Sequence, residues 1–259
     1  MSIPKVIHFC WFGGNEKPAI VKKCIKSWRK YCPDYEIIEW NEENFDVNCI
    51  PFCQQAYEAK KWAFVSDYAR LKVLLEYGGI YMDTDVELLR PIDDLLALEC
   101  FIGFQHEHFV SNGLIFGAEA NHSFVQENAA VYENNSFVSY DDSKKLTVCQ
   151  EYTTEILKGY GLKVPDTGEI QVVNGIHVYP SEYFCPYDHR TFQMKKTANT
   201  YAIHHFASSW WDKKRKSDYK KLKLRIKIDY ILHSPNRVLM HVLGPETYQR
   251  IKAVFGKKV

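Results

Sequence analysis

The chain has no Cys-x-x-Cys pair, no apolar run of about 18 residues and no large excess of either charge. The first absence argues against a zinc ribbon or finger. Cys49 and Cys53 lie four apart, but nothing resembling a second pair follows, and Cys10, Cys24, Cys32, Cys100, Cys149 and Cys185 are scattered. The second leaves no membrane-spanning helix to assign. The third, a net charge of +1, argues against nucleic-acid binding through a global field. The start, Met-Ser-Ile-Pro-Lys, lacks a charged-then-apolar signal region. Reduced thiols in a cytoplasmic protein are therefore the expectation. There is no Gly-x-x-x-x-Gly-Lys loop, no Gly-x-Ser-x-Gly elbow, no His-Glu-x-x-His and no Rossmann fingerprint. Internal repeats and low-complexity linkers are also missing.

What is present is a regular alternation of strand and helix signals. Lys5–Phe9 is a short apolar run stopped by Gly13-Gly14. From Pro18 to about Tyr31, the residues Ile20, Cys24, Ile25 and Trp28 keep helical spacing, and Tyr35–Trp40 then predicts a second strand. A β-α-β opening favours a parallel α/β sheet. Gln54–Tyr77 is expected to be helical, in one piece or two, ending at a C-cap, Gly78. Ile80–Met82, Val86–Leu89, Phe101–Gln105, Gly113–Gly117, Ile170–Val173, His177–Tyr179 and Tyr201–Phe206 are predicted extended, and His122–Tyr132 and Val148–Leu157 helical.

The strand at Ile80–Met82 runs into Asp83-Thr84-Asp85. In a strand, side chains i and i+2 share a face, so both carboxylates are expected at one spot on a C-terminal strand edge, where α/β sheets hold ligands. Two such oxygen donors suit Mg²⁺ or Mn²⁺, which commonly brings phosphates. Glu87 continues the alternation, and a plain turn of backbone-bonded aspartates is the other reading. On the preceding helix Asp67 and Arg70 are three apart and share a face within an apolar stretch. They form either an ion pair or a grip on sugar, ribose or phosphate oxygens. His8, Trp11 and Phe12 lie at the end of the first strand, where Trp11 would stack on a base or simply pack. Late in the chain, strand alternation lets one of His204 and His205 face the site. Ser208, Ser209, Trp210 and Trp211 follow, offering donors to phosphate. From Lys213 to Lys227 nine cations face one acid, Asp218. This is either a solvated helix face or a contact for an anionic membrane surface or acidic acceptor.

Taken together, four segments carry a resemblance. They are Ile3–His8 with Trp11 and Gly13; Ala63 with Ser66-Asp67-Tyr68-Ala69-Arg70; Tyr77-Gly78-Gly79-Ile80-Tyr81 leading to Asp83-Thr84-Asp85; and Ala202-Ile203-His204 with Ser209-Trp210. This set resembles the DXD-motif glycosyltransferases of the capsular-polysaccharide and mannosyltransferase type (family 32-like), over residues 3–211. The resemblance implies an α/β fold of GT-A type: a nucleotide-sugar-binding, mostly parallel mixed sheet flanked by helices, spanning residues 1–211. A basic helical segment, residues 212–259, would follow. It implies a metal-dependent, retaining transfer of a hexose or N-acetylhexosamine from a UDP- or GDP-sugar to a glycan or lipid-linked glycan. Trp11 would meet the base, and Asp67 and Arg70 the ribose or sugar. Asp83 would touch ribose, sugar or metal, and Asp85 would ligate Mn²⁺ or Mg²⁺. His204, preferred to His205, would meet metal or diphosphate, as would Ser209 and Trp210. Ser111-Asn112 is expected near the donor sugar. Thr147–Thr153 lacks the Thr-Gly-Pro of many relatives. A nucleotide-sugar hydrolase, a nucleotidyltransferase and a metal-dependent glycan-binding module remain open as alternatives. No nucleic-acid partner is expected. Peripheral contact with the inner face of an anionic membrane is.

Overall fold

The structure is a computed structural model describing residues 3–137, 149–188 and 193–207 and, beyond them, helical residues 217, 218, 220–222, 224, 225, 228 and 247. Backbone packing separates residues 1–189 with 193–210 from residues 190–192 with 211–259. In the second unit Lys221 pairs with Asp218 at 3.7 Å within the helix.

The first unit opens with strand β1 (Val6–Cys10), helix α1 (Ala19–Tyr31) and strand β2 (Glu36–Trp40). The long helical stretch is two helices, α2 (Pro51–Glu58) and α3 (Trp62–Tyr77), parted at Lys60, whose φ is +56°. Strands β3 (Gly79–Met82), β4 (Val86–Leu88), β5 (Cys100–His106), β6 (Phe109–Ser111) and β7 (Ile115–Ala118) follow. Then come α4 (Ser123–Glu133), α5 (Cys149–Gly159), β8 (Gln171–Val173), β9 (Ile176–Tyr179) and the short α6 (Ser181–Phe184). Two short strands, β10 (Tyr187–Asp188) and β11 (Gln193–Met194), pair antiparallel, and β12 (Ala202–His204) follows.

The main sheet has the order β2-β1-β3-β7-β5-β9-β8, with β6 beside β5. β2, β1 and β3 are parallel, as are β5 and β9, while β7 runs antiparallel to both β3 and β5. Five strands therefore share one direction in a mixed sheet, the architecture expected from the sequence. Alternation builds two cores. Cys10, Tyr81, Ile102 and Phe116 face one, with α2 to α5; Ile7, Phe9, Ile80, Phe101 and Ile115 face the other, with Cys24 and Trp28 of α1. α3 is buried on nearly every side, through Val65, Tyr68, Ala69, Leu71, Val73 and Leu74, so its apolar face is wider than the periodicity predicts.

β4 and β12 leave this sheet and, among the described residues, pair only with each other, antiparallel, with His204 opposite Val86 and Ile203 opposite Glu87. α1 fastens them: Trp28 Nε1 donates to the Val86 carbonyl at 2.7 Å, and Ser27 Oγ accepts from Leu88 N–H at 2.9 Å.

Candidate active site

The parallel register of Ile7 with Ile80 and His8 with Tyr81 brings the ends of β1 and β3 to one sheet edge. Asp83 and Asp85 stand there, but not by strand alternation. β3 ends at Met82, and Val86 N–H donates to the Asp83 carbonyl at 3.0 Å, so Asp83–Val86 is a turn. The expected position is right and the reason is corrected: the turn sends the two carboxylates to different partners.

Asp83 faces α3. Its Oδ1 accepts from Arg70 Nη2 at 3.2 Å and from Tyr81 Oη at 3.0 Å. Arg70 Nη2 also meets Asp67 Oδ1 at 3.0 Å. The guanidinium lies 4.9 Å from the Tyr81 ring. Asp67 and Arg70 thus share a face, as spacing predicts, and their pair is buried. Burial pushes the Asp67 carboxyl up to about 6, against the pull of Arg70 and with the aid of the Asp83 charge. For Arg70 burial opposes the charge, and Asp83, Tyr81 and Asp67 more than offset it. Asp83 Oδ2 lies over Gly113, where a Cβ would come within 2.2 Å of that oxygen, so only glycine lets the chain pass so close.

Asp85 faces the small sheet. Its Oδ1 lies 3.1 Å from His204 Nε2, its Oδ2 accepts from Ala207 N–H at 2.7 Å, and its carbonyl accepts from His205 N–H at 3.0 Å. Phe206 takes φ +49° in the turn that allows this. A bulky residue adopts that conformation only where surrounding contacts impose it. Burial alone would raise the Asp85 carboxyl, but His204 and the Ala207 N–H hold it below its usual range. Burial opposes the His204 charge as well, and Asp85 lifts the imidazole well above its ordinary value. His205 turns instead to Glu87 at 2.8 Å, and Lys23 reaches the same carboxylate at 2.7 Å. Glu87 therefore belongs to a separate charged cluster.

Among the described residues no group of three or more His, Cys, Asp or Glu side chains is gathered for a metal. A carboxylate oxygen and an imidazole nitrogen do converge, in Asp85 and His204. That donor set fits Mn²⁺ or Mg²⁺ if oxygens of a bound ligand or water supply the other positions. Trp11, just past β1, is half-buried; its indole N–H donates to the Asn15 carbonyl at 2.7 Å, and Lys17 Nζ lies 5.7 Å from its ring. Ser209 and Trp210 lie outside the described residues, as do most of residues 213–227.

His8, grouped with Trp11 in the sequence, is fully buried and structural. Its Nδ1 accepts from Trp40 Nε1 at 3.1 Å, so Nε2 carries the proton to the Gly78 carbonyl at 2.8 Å. Ser111 and Asn112 are buried too, and Asn112 Oδ1 accepts from Arg70 Nη1 at 2.7 Å. Of this pair, expected near the donor sugar, Asn112 meets the arginine and Ser111 Oγ accepts from Gly113 N–H at 3.3 Å. The link from Asn112 through Thr153 to Asn128 carries no local sequence signal.

Residues 18–102 match the model of the family described as a glycosyltransferase sugar-binding region containing the DXD motif. Inositol phosphoceramide mannosyltransferase 3 of Schizosaccharomyces pombe is 31% identical over 128 residues, 48% of this chain and 35% of that protein. An uncharacterised glycosyltransferase of Acanthamoeba polyphaga mimivirus is 24% identical over 224 residues, 80% of this chain and 84% of that protein. The chain spans about a third of the length of the fission-yeast relative. Among solved structures the PaToxG glycosyltransferase superposes with a TM-score of 0.50 at 20% identity, over 61% of this chain and 70% of that one. This likeness, with the sheet order above, gives a GT-A type fold. Over residues 18–102 the chain is similar to the glycosyltransferase family with a DXD sugar-binding region, and Asp83-Thr84-Asp85 is the Asp-x-Asp triplet within that match.

Proposed function

We propose that this protein is a glycosyltransferase that moves a hexose or N-acetylhexosamine from a UDP- or GDP-sugar to a glycan acceptor, with metal dependence and retention at the anomeric carbon. The observation that carries this reading is the paired arrangement at one sheet edge: Asp85 with His204, and Asp83 with Arg70 and Asp67. The first pair suits a diphosphate with its cation, and the second suits hydroxyls of ribose or sugar.

Asp85 and His204 would hold the Mn²⁺ or Mg²⁺, and that ion, when bound, neutralises charge developing on the leaving diphosphate. Ala207 N–H fixes Asp85 Oδ2, so the carboxylate meets its ligand already oriented. Arg70 and Tyr81 fill Asp83 Oδ1 and leave Oδ2 to accept a hydroxyl of the donor. Trp11 stacks on the base, and Ser209 and Trp210 donate to diphosphate oxygens. No covalent nucleophile is assigned. The acceptor hydroxyl attacks the anomeric carbon on the leaving-group side, its oxygen–carbon bond forming as the carbon–phosphate-oxygen bond breaks, and a phosphate oxygen takes its proton.

The acceptor we propose is a glycan on a lipid carrier, in cell-surface polysaccharide synthesis at the inner face of a membrane. The fission-yeast relative is named for mannosyl transfer to inositol phosphoceramide, itself a lipid. Residues 1–211 would form the catalytic domain and 212–259 the basic extension. Exposed Leu222, Leu224 and Ile228 stand among Lys220, Lys221 and Arg225 in that extension, a composition suited to anionic lipid.

The test is a thermal-shift panel of UDP- and GDP-sugars with Mn²⁺ and with EDTA. A donor at 100 times its Kd stabilises by about 2.7 kcal/mol, so one sugar nucleotide should raise Tm by several degrees only with metal. The reading fails if none does. With that donor, free sugar without acceptor would mark a hydrolase and release of sugar 1-phosphate a nucleotidyltransferase.

A further inference from the structure

From Arg70 a chain of buried side-chain hydrogen bonds runs away from the sheet edge into α5 and α4. Arg70 Nη1 donates to Asn112 Oδ1 at 2.7 Å, and Asn112 Nδ2 donates to Thr153 Oγ1 at 3.2 Å. Thr153 Oγ1 donates to Asn128 Oδ1 at 2.8 Å, and Asn128 Nδ2 donates to the Phe124 carbonyl at 2.8 Å. Thr153 is fully buried, and Asn112 and Asn128 are 1% and 2% exposed.

The direction of this chain is fixed at both ends. A guanidinium can only donate, so Asn112 must present its oxygen to Arg70 and its amide to Thr153. A backbone carbonyl can only accept, so Asn128 must present its amide to Phe124 and its oxygen to Thr153. The threonine hydroxyl has one orientation that serves both neighbours. Turning the Asn112 amide over would set a donor against Arg70, and turning the Asn128 amide over would set an acceptor against the Phe124 carbonyl. All four side chains are buried. The other guanidinium nitrogen, Nη2, is shared by Asp67 and Asp83. The polar chain therefore sets the rotation of the arginine that aligns Asp83.

We propose that Thr153 and Asn128, on helices α5 and α4 and out of contact with Asp83, are positioning residues that hold Arg70 through Asn112. The proposal rests on the glycosyl-transfer reading only in what the positioned arginine serves, the donor. Its physical content, a pinned guanidinium, is measurable without any substrate.

The experiment combines side-chain NMR of the full chain labelled with ¹⁵N-arginine and donor kinetics. Pinned on Nη1 and Nη2, Arg70 should show separately resolved Nη protons in the wild type and in Thr153→Ser, which keeps the hydroxyl. Thr153→Val keeps the shape and removes it, and those signals should average. The kcat/KM for donor should fall about tenfold in Thr153→Val and return to within about twofold in Thr153→Ser. On an Arg70→Lys background Thr153→Val should cost almost nothing further. If Thr153→Val does not fold, Asn128→Ala probes the far end of the same chain by the same signals. Arg70 resonances unchanged in the folded variant overturn the proposal, whatever happens to Tm. If the resonances respond as expected but no nucleotide sugar binds or turns over, the positioning stands and the glycosyl-transfer reading fails.

Discussion

Asp85 receives three bonds from the segment His204–Ala207, and that concentration makes it the side chain on which the proposed chemistry turns. Asp85→Asn keeps the size and removes the charge. Turnover should fall about 100-fold or more while the far-UV spectrum stays unchanged; near-normal activity would remove the metal from the mechanism. His8 illustrates the opposite kind of residue, a histidine held neutral for the fold. Burial lowers it to about 4, with the Gly78 carbonyl opposing. Its folded value lies below the unfolded one, so the unfolded chain binds the extra proton between the two. The contribution is complete above about pH 6.5 and is lost as pH falls toward 4. Urea unfolding at pH 7 and pH 5 should show the wild type losing about 2 kcal/mol more than His8→Gln. Equal losses would mean His8 does not titrate in this way. At this scale Asp67 and Arg70 could be picked out from the sequence because they stand about one helical turn apart, and Asp83 and Asp85 because they follow an apolar strand; the turn that parts the two aspartates could not. The link from Asn112 to Thr153 and Asn128 could not, because the first lies in the turn between β6 and β7, the others on two helices, and a lone polar residue in a helix looks solvated.

Elements reach the site through the Gly78-Gly79 corner, where α3 turns directly into β3. Gly79 has φ +102°, and a Cβ there would stand 2.8 Å from the Val6 carbonyl and 3.0 Å from His8 Nε2. Gly14 also has positive φ, at +64°, but a Cβ there meets nothing within 4 Å. Gly79→Ala should therefore cost more than about 2 kcal/mol, from strain together with a backbone clash. Gly14→Ala should cost about 1 kcal/mol, from conformation alone. Denaturant titrations of the two variants test this, and similar losses would show that crowding at the corner is relieved by movement. The corner was readable because two adjacent glycines after an apolar helix demand a special turn. The pairing of β4 with β12, the insertion of β7 between β3 and β5, and the short β6, β10, β11 and α6 were not. Segments of two to four residues carry too little periodicity, and their partners are distant in sequence.

At the scale of the whole molecule a chain of net charge +1 sets nine cations against one acid between Lys213 and Lys227, near its end. If this end serves a lipid-linked acceptor, the full chain should co-sediment with phosphatidylserine vesicles at low salt and be released near 0.5 M salt, where the Debye length is only a few ångströms. Failure to bind at low salt would detach the enzyme from the membrane proposal and leave the donor chemistry untouched. Local sequence, by itself, determined the helices with clear apolar stripes, the strands long enough to alternate, the α/β class and the DXD segment with its companion Asp67-x-x-Arg70. Those are properties of spacing, and spacing is local. Only the tertiary structure decided that Asp83 turns to Arg70 while Asp85 turns to His204, that His205 goes to Glu87, and that His8 and Asn112 serve the fold and the arginine rather than a ligand. Each of those outcomes depends on which distant backbone lies opposite a side chain, and sheet order and burial set that.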